Sequence, residues 1–373
     1  MRKALHSVIT GTGSCIPARI VSNDAFIDSA FFDGNGQRLD KPGAEIVERF
    51  AQITDIRERR YAEDHQVASD LALLAAQDLF ASCPTADPEQ LDYILVAHNF
   101  GDITADNRRS DFVPSLAARV KHRLGIQNPH CVAYDLPFGC PGWLQGVIQA
   151  DYYLRSGDAK RVLVIGAETL SRVCDPHDRD SMIYSDGAGA VLLEARETAD
   201  TDTATGLPEG ILAHSSRSDT VQAALLLRMA TSRNPAYTGT ELFLQMEGRK
   251  LYEYALKTVP QAIKDCLEKA GLQVADMSRL IIHQANGKMD EAILKRLYAL
   301  AGDAPAPADI MPMTISWLGN SSVATIPTLL DLLAKGQLEG YSITPGEVLV
   351  FASVGAGMNC NAVVYRVPEA VNA

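Results

Sequence analysis

The stretch VLVIGA at residues 162–167 recurs as VLVFAS at 348–353, an offset of 348 − 162 = 186, and this recurrence decides how the chain is read. Each copy is a short aliphatic run of the kind that forms a β-strand. Two further pairs keep nearly the same spacing. Asp78 in AAQDLFAS precedes Asp265 in AIKDCLEK by 265 − 78 = 187, and His98 in ILVAHN precedes His283 in LIIHQAN by 283 − 98 = 185. Each pair is reached by helix, acidic turn and apolar strand, so the chain carries an internal duplication. The helical segment GWLQGVIQADYYLRSG ends at Gly157 and SSVATIPTLLDLLAKG ends at Gly336, 336 − 157 = 179 apart. A longer connection after the second helix, Gln337 to Glu347 against Asp158 to Arg161, restores the spacing. By this register Cys140 stands opposite Gly319 and Asn320.

A chain of 373 residues exceeds one ordinary domain. The duplication predicts two halves, residues 1–199 and 200–373, joined through a Thr/Asp/Ser/Gly-rich segment over 197–240 read as linker and irregular excursions. Alternating helical and β-branched patterns place both halves in the α/β class. With 47% hydrophobic and 21% charged residues, a large core is available. A net charge of −12 disfavours nucleic acid or an anionic membrane as a partner of the whole surface. The seven cysteines form no CxxC pair and no metal-ligand spacing, which points to a reduced, cytoplasmic setting without metal. No run of 18 apolar residues occurs, so no membrane span is expected.

Cys140 stands in DLPFGCPGW, where an apolar run breaks at Pro, Gly, Cys, Pro, Gly, the signature of a sharp strand-to-helix turn with Pro141 at the first helical position. There the positive end of a helix would lower the thiol pKa and yield a thiolate nucleophile. An inert buried thiol is the equally weighted alternative from local context, and it is the reading kept for the other six cysteines. His283 ends an apolar strand, where sites form in α/β sheets. Asn320, after Gly319, reads alone as a helix N-cap. The repeat lifts the three together, because equivalent strand ends and helix starts of two similar halves converge. GTGSC from Gly11 lacks the dinucleotide-binding fingerprint and reads as a turn. The glycine turns DGAGA from Asp186 and GAGMN from Gly355 could offer backbone N–H groups to a thioester oxyanion. The irregular stretch Asn99 to Asp111 reads as a surface or interface loop.

These residues resemble the thiolase superfamily, and within it the β-ketoacyl-acyl carrier protein synthase III type of condensing enzyme. The resemblance runs almost end to end through ITGTGSCIP, ITDIRERRY, AYDLPFGCPGW, SGDAKRVLVIGAETLSR, CDPHDRDSMIYSDGAGAVLLEA, HQAN and LGNSS. It implies a thiolase-like, five-layered αβαβα fold, an obligate homodimer and a catalytic triad of Cys140, His283 and Asn320. It further implies Claisen-type condensation of two acyl thioesters through an acyl-Cys intermediate. The backbone of Cys140 and Ala356 would form the oxyanion hole. Val113, Phe112, Arg179, Gly248, Tyr252 and Asn286 would bind substrate; Lys288, Lys295 and Arg296 would dock a carrier protein. No cofactor is implied. Partners would be acyl carrier protein, acyl-CoA thioesters, or both. VAHNFGD and RRSDFVPSLAARVKH are most similar to ketosynthases of aryl polyene, dialkylresorcinol and flexirubin pathways. Arg49 and Ile53 stand where the family pattern has a Trp and an Arg that grip coenzyme A, and Val113 stands at the dimer-loop position, often Phe. A non-condensing acyltransferase or thioesterase of this fold, and an inactive partner subunit of a heterodimer, remain alternatives.

Overall fold

The computed structural model describes residues 4–197, 207–302 and 304–369. Strands β1 (Leu5–Cys15), β2 (Tyr93–His98), β3 (Val132–Pro137), β4 (Arg161–Thr169) and β5 (Asp186–Glu197) form one sheet in the order β1-β5-β4-β2-β3. Strands β6 (Gly210–Ser218), β7 (Arg279–Ile282), β8 (Val348–Gly355) and β9 (Asn359–Arg366) form a second sheet in the order β7-β8-β9-β6. VLVIGA lies in β4 and VLVFAS in β8. Each runs parallel to one sheet neighbour, β2 or β7, and antiparallel to the strand that follows it, β5 or β9. The outer strands β1 and β6 pair antiparallel with β5 and β9. Where the first sheet adds β3, the second receives irregular backbone, with Leu280 N–H donating to the Ile310 carbonyl at 2.7 Å.

The helices are α1 (Gly43–Thr54), α2 (Ala68–Ser82), α3 (Leu116–Arg123), α4 (Gly142–Ser156), α5 (Gly248–Lys269), α6 (Gly287–Leu300) and α7 (Thr325–Ala334). Side chains of α4 and α7 pack between the two sheets, against Val162 and Val164 of β4 and Leu349 and Phe351 of β8. On the outer face of β4, Leu163 and Ile165 meet α2 and α3. On the outer face of β8, Val348, Val350 and Ala352 meet α5 and α6. The layers therefore run αβαβα. Strands covered on both faces need apolar residues at every position, which is why these two runs lack polar alternation. Both central helices stop at a left-handed glycine, Gly157 at φ +80° and Gly336 at φ +63°.

Several local expectations change. GTGSC is not a turn but part of β1, because a Cβ on Gly13 would sit 2.4 Å from the Ala75 carbonyl and the Leu79 amide of α2. DGAGA lies inside β5, where a Cβ on Gly189 would fall 2.6 Å from the Thr328 amide. These glycines serve close packing of layers, so DGAGA offers no oxyanion turn. The segment 197–240 contains regular β6 and the first strand of a hairpin, Leu227–Ala230 against Phe243–Met246. Ser216, Arg217 and Ser218 form the exposed end of this edge strand. The division at 199/200 lies outside the described residues. The 99–111 loop lies on the surface over 104–111, as expected, and is anchored at its base: buried Asp102 accepts hydrogen bonds from the Ser69 amide at 2.8 Å and Arg119 Nη1 at 2.6 Å. Among the described residues, no helix is long and apolar enough to cross a membrane.

Gly166, in the deciding stretch, lets the segment entering α7 touch the first sheet, since a Cβ there would lie 2.3 Å from the Val323 carbonyl. Overpacking of this kind costs about 1–3 kcal/mol. Gly166→Ala should lower the urea midpoint accordingly without changing the slope; an unchanged midpoint would contradict the layer contact.

Candidate active site

Cys140 occupies the turn between edge strand β3 and the central helix α4. Pro141 sits at the cap rather than the first helical position, which falls to Gly142. Gly139 has φ +78°, and a Cβ on it would lie 2.9 Å from both the amide nitrogen and the carbonyl oxygen of Ala356. A Cβ on Gly355 would lie 2.6 Å from the Cys140 nitrogen. The two turns thus meet backbone to backbone, with room for no side chain at either glycine.

His283 follows β7 directly, and its N–H donates to the Ala352 carbonyl of β8 at 2.8 Å. Buried Gln284 ties the same loop to the segment that leads towards Asn320: its Oε1 accepts from the Thr314 and Ile315 amides at 2.8 and 2.9 Å. Asn286 caps α6, accepting from the Met289 amide at 3.1 Å. Asn320 follows Gly319, which has φ +66°. Its backbone is held by Ile183 and Ser185, at 3.0 and 2.8 Å, across the boundary between the two layered units. Its Oδ1 accepts from the Ser322 amide at 2.8 Å in a local turn, and Asn320 is not the helix N-cap: Ser321 and Ala324 occupy the cap positions before the 3-10 turn at 322–324 and before α7.

Cys140, His283, Asn320 and Ala356 line one cavity of about 860 Å³. Arg179, Gly248, Tyr252 and Asn286 line it too, as do Arg49 and Ile53. Val113, 85% exposed, and Phe112 do not reach the cavity of their own chain. Lys288 sits outside it in ion pairs with Asp55 and Glu291, at 4.0 and 3.7 Å. Lys295 and Arg296 are exposed on α6. The repeat partner of His283 is engaged differently, since His98 Nε2 is 3.0 Å from Asp135 Oδ2 and its Nδ1 accepts from the Gly101 amide at 3.1 Å. Among the described residues, no group of three His, Cys, Asp or Glu side chains could hold a metal ion.

The electrostatics reverse one expectation. Burial pushes the Cys140 thiol up to about 11, against a hydrogen bond from the Ser322 side chain that favours the thiolate, and Glu168 adds to the upward push. Desolvation outweighs the two hydrogen bonds that favour the thiolate. The resting group is a thiol. Burial also lowers His283 to about 4, with the Ser322 backbone acting in the opposite direction, so the imidazole is neutral at pH 7. Sequence reasoning missed Ser322, Asn99 and Glu168. Ser322 adopts φ +54°, unusual for a non-glycine residue, and it touches all three candidate triad members. The doubled serine of LGNSS was the one available signal.

A two-sheet αβαβα duplication with a cysteine at the start of one central helix is the architecture of thiolase-like condensing enzymes. Residues 134–206 match the family described as 3-Oxoacyl-[acyl-carrier-protein (ACP)] synthase III, and 267–367 match its C-terminal part. The chain is 34% identical to β-ketoacyl-[acyl-carrier-protein] synthase III of Paracoccus denitrificans, over 98% of this chain and 100% of that protein. It is 33% identical to the Mesorhizobium japonicum protein of the same name, over 97% and 99%. The crystal structure of the Thermus thermophilus synthase III, 29% identical, superposes with a TM-score of 0.77 over 97% of this chain and 100% of that one. The priming β-ketosynthase of the R1128 polyketide pathway shares the fold at 24% identity and a TM-score of 0.77, over 99% and 98%. The chain belongs to the β-ketoacyl-[acyl-carrier-protein] synthase III family of acyltransferases.

Because the free thiol is held high, alkylation of Cys140 by iodoacetamide in the substrate-free protein should keep accelerating with pH well beyond pH 8, as the thiolate fraction grows towards its value near 11. A rate that levels off below pH 8 would contradict this protonation state.

Proposed function

We propose that the protein is a ketosynthase that joins two acyl thioesters by Claisen-type condensation through an acyl-Cys140 intermediate, in fatty acid or polyketide-like biosynthesis. The single observation that carries the reading is the convergence of Cys140, His283, Asn320 and the Cys140–Ala356 backbone turn in one cavity. Cys140 would attack the first thioester carbonyl as the thiolate. The developing oxyanion would be met by the N–H groups of Cys140 and Ala356, and the leaving thiolate would take up the displaced proton. A neutral His283 and the Asn320 amide are both able to donate hydrogen bonds to the carbonyl of the second thioester. That polarisation stabilises the enolate formed by decarboxylation or deprotonation. The carbanion then attacks acyl-Cys140, forming the carbon–carbon bond and releasing the cysteine.

The substrate arm rests on the cavity wall. Lys41, Arg49, Arg179 and Arg249 line it against Asp40 and Asp180, a cationic balance on a chain of net charge −12 that suits a phosphopantetheine-type thioester. Arg49 and Ile53 in place of a coenzyme A grip favour a carrier-protein-bound substrate in at least one half-reaction. Exposed Lys295 and Arg296, which make no ion pair among the described residues, would contribute to docking beside Lys288. A homodimer fits the open edge of β3 with half-exposed Val132 and exposed Val113 beside it. Val113 and Phe112 would then cap the partner's acyl pocket, where a valine leaves room for medium or longer chains. The duplicated units would divide at 199/200, and the seven free cysteines suit a cytoplasmic location. Dialkylresorcinol-type chemistry is the finer pathway assignment.

Intact-mass analysis after incubation with an acyl thioester should give one adduct, absent in Cys140→Ala. His283→Ala and Asn320→Ala should keep the adduct and lose condensation; an adduct of full extent on Cys140→Ala would overturn the assignment. Lys295→Glu should raise KM for acyl carrier protein about threefold to tenfold with kcat preserved, the scale of a lost rim charge. Unchanged KM, or equal turnover with free acyl-CoA in both roles, would remove the carrier-protein arm. Val113→Phe should move the preferred acyl group from octanoyl towards acetyl in a competition read as acyl-Cys140 mass. A preference for acetyl already in the wild type, unchanged by the substitution, would remove the long-chain arm.

A further inference from the structure

Behind the nucleophile lies a buried polar chain that the condensation chemistry leaves unused. Glu168, near the end of β4, is 2% exposed and does not line the cavity. Its Oε1 accepts from Asn99 Nδ2 at 2.6 Å, and the Asn99 backbone bonds it as well. The same Nδ2 donates to Ser322 Oγ at 3.1 Å. The Ser322 side chain adjoins the Cys140 thiol in the cavity wall and favours its thiolate form.

The directions of these bonds follow from the groups. An amide nitrogen only donates, so with Nδ2 turned to both groups Glu168 Oε1 accepts from it, as a carboxyl oxygen can in either charge state, and Ser322 Oγ accepts as well. The Ser322 hydroxyl proton is then free to point at sulfur. We propose that Glu168 and Asn99 are positioning residues for the nucleophile: through Ser322 they aim a hydrogen-bond donor at the Cys140 sulfur. This rests on Cys140 being the reacting thiol.

The charge state of the carboxyl supports the geometry. Burial raises Glu168 to about 8, against the two Asn99 hydrogen bonds, with Asp186 of β5 contributing to the rise. The titratable groups facing it are Cys140 and Asp186; Asp186 is itself offset by Arg172, while Tyr184 and His283 lie in the wall of the adjoining cavity. Near neutral pH Glu168 is therefore protonated, and the thiolate that forms at Cys140 meets no second anion. As pH rises through about 8 the carboxylate appears and opposes ionisation of the thiol.

Glu168→Gln keeps an oxygen acceptor for Asn99 and cannot ionise. Alkylation of Cys140 by iodoacetamide, followed from about pH 6 to about pH 10 by intact mass, reads the thiolate directly without requiring condensation. At about pH 9 the variant should react roughly threefold to tenfold faster than the wild type, while the two rates coincide below about pH 7. Asn99→Ala should slow alkylation at every pH, and adding Ser322→Ala to it should slow it no further. Superimposable profiles for Glu168→Gln and wild type, a pH-independent difference between them, or an Asn99→Ala rate equal to wild type would overturn the proposal. Acylation of Cys140→Ala would instead overturn the functional reading on which it rests.

Discussion

Two turns without side chains at their point of contact, Gly139–Cys140 and Gly355–Ala356, hold this molecule's site together. One comes from the edge strand of the first sheet and the other from the central strand of the second. A single methyl at Gly355 would reach 2.6 Å from the Cys140 nitrogen. The contact can exist only if the middle helical layer keeps both sheets at a fixed separation. That layer depends on strands with no polar face, and hence on the paired aliphatic runs at 162 and 348. Fold and site are therefore one constraint seen at two scales.

The duplication is used asymmetrically. Equivalent strand ends carry His98 and His283, yet His98 is bonded to Asp135, whose carboxylate also accepts from the Leu116 and Ala117 amides at the start of α3. His283 has no carboxylate partner among the described residues and lines the cavity. One imidazole thus fixes a helix start while its counterpart faces the cavity. The same asymmetry places a thiol at the head of one central helix and an amide ahead of the other. Two different chemical capacities, nucleophile and carbonyl donor, come from one repeated scaffold.

How much of this was legible in the residues follows from what kind of physics each feature obeys. The layers could be read from the 186-residue recurrence, because burial on both faces leaves a compositional mark. Cys140, His283 and Asn320 could be placed by register, and GTGSC and DGAGA could not, since a glycine that admits a neighbouring backbone looks the same in sequence as one that turns the chain. Strand β6 was hidden because an edge strand tolerates the polar run at its end. The upward push on the thiol is not legible in sequence, because the helix start shows there and the desolvation of a cavity-lining cysteine does not. Asn99 lies in VAHNFGD and Glu168 in VLVIGAETLSR, but nothing in those stretches pairs them with the cysteine; only three-dimensional convergence on Ser322 connects residues 99, 168 and 322.

The proposed chemistry requires one cavity to capture an acyl group on sulfur and then to make a carbon–carbon bond to it. Two thioesters with different isotopic labels, one supplied as acyl donor and one as carbanion source, put both steps to the test in a single product mass. The expected product is a β-ketoacyl thioester carrying both labels. Release of the donor label as free acid, with no doubly labelled product under conditions where Cys140 is acylated, would contradict the condensation.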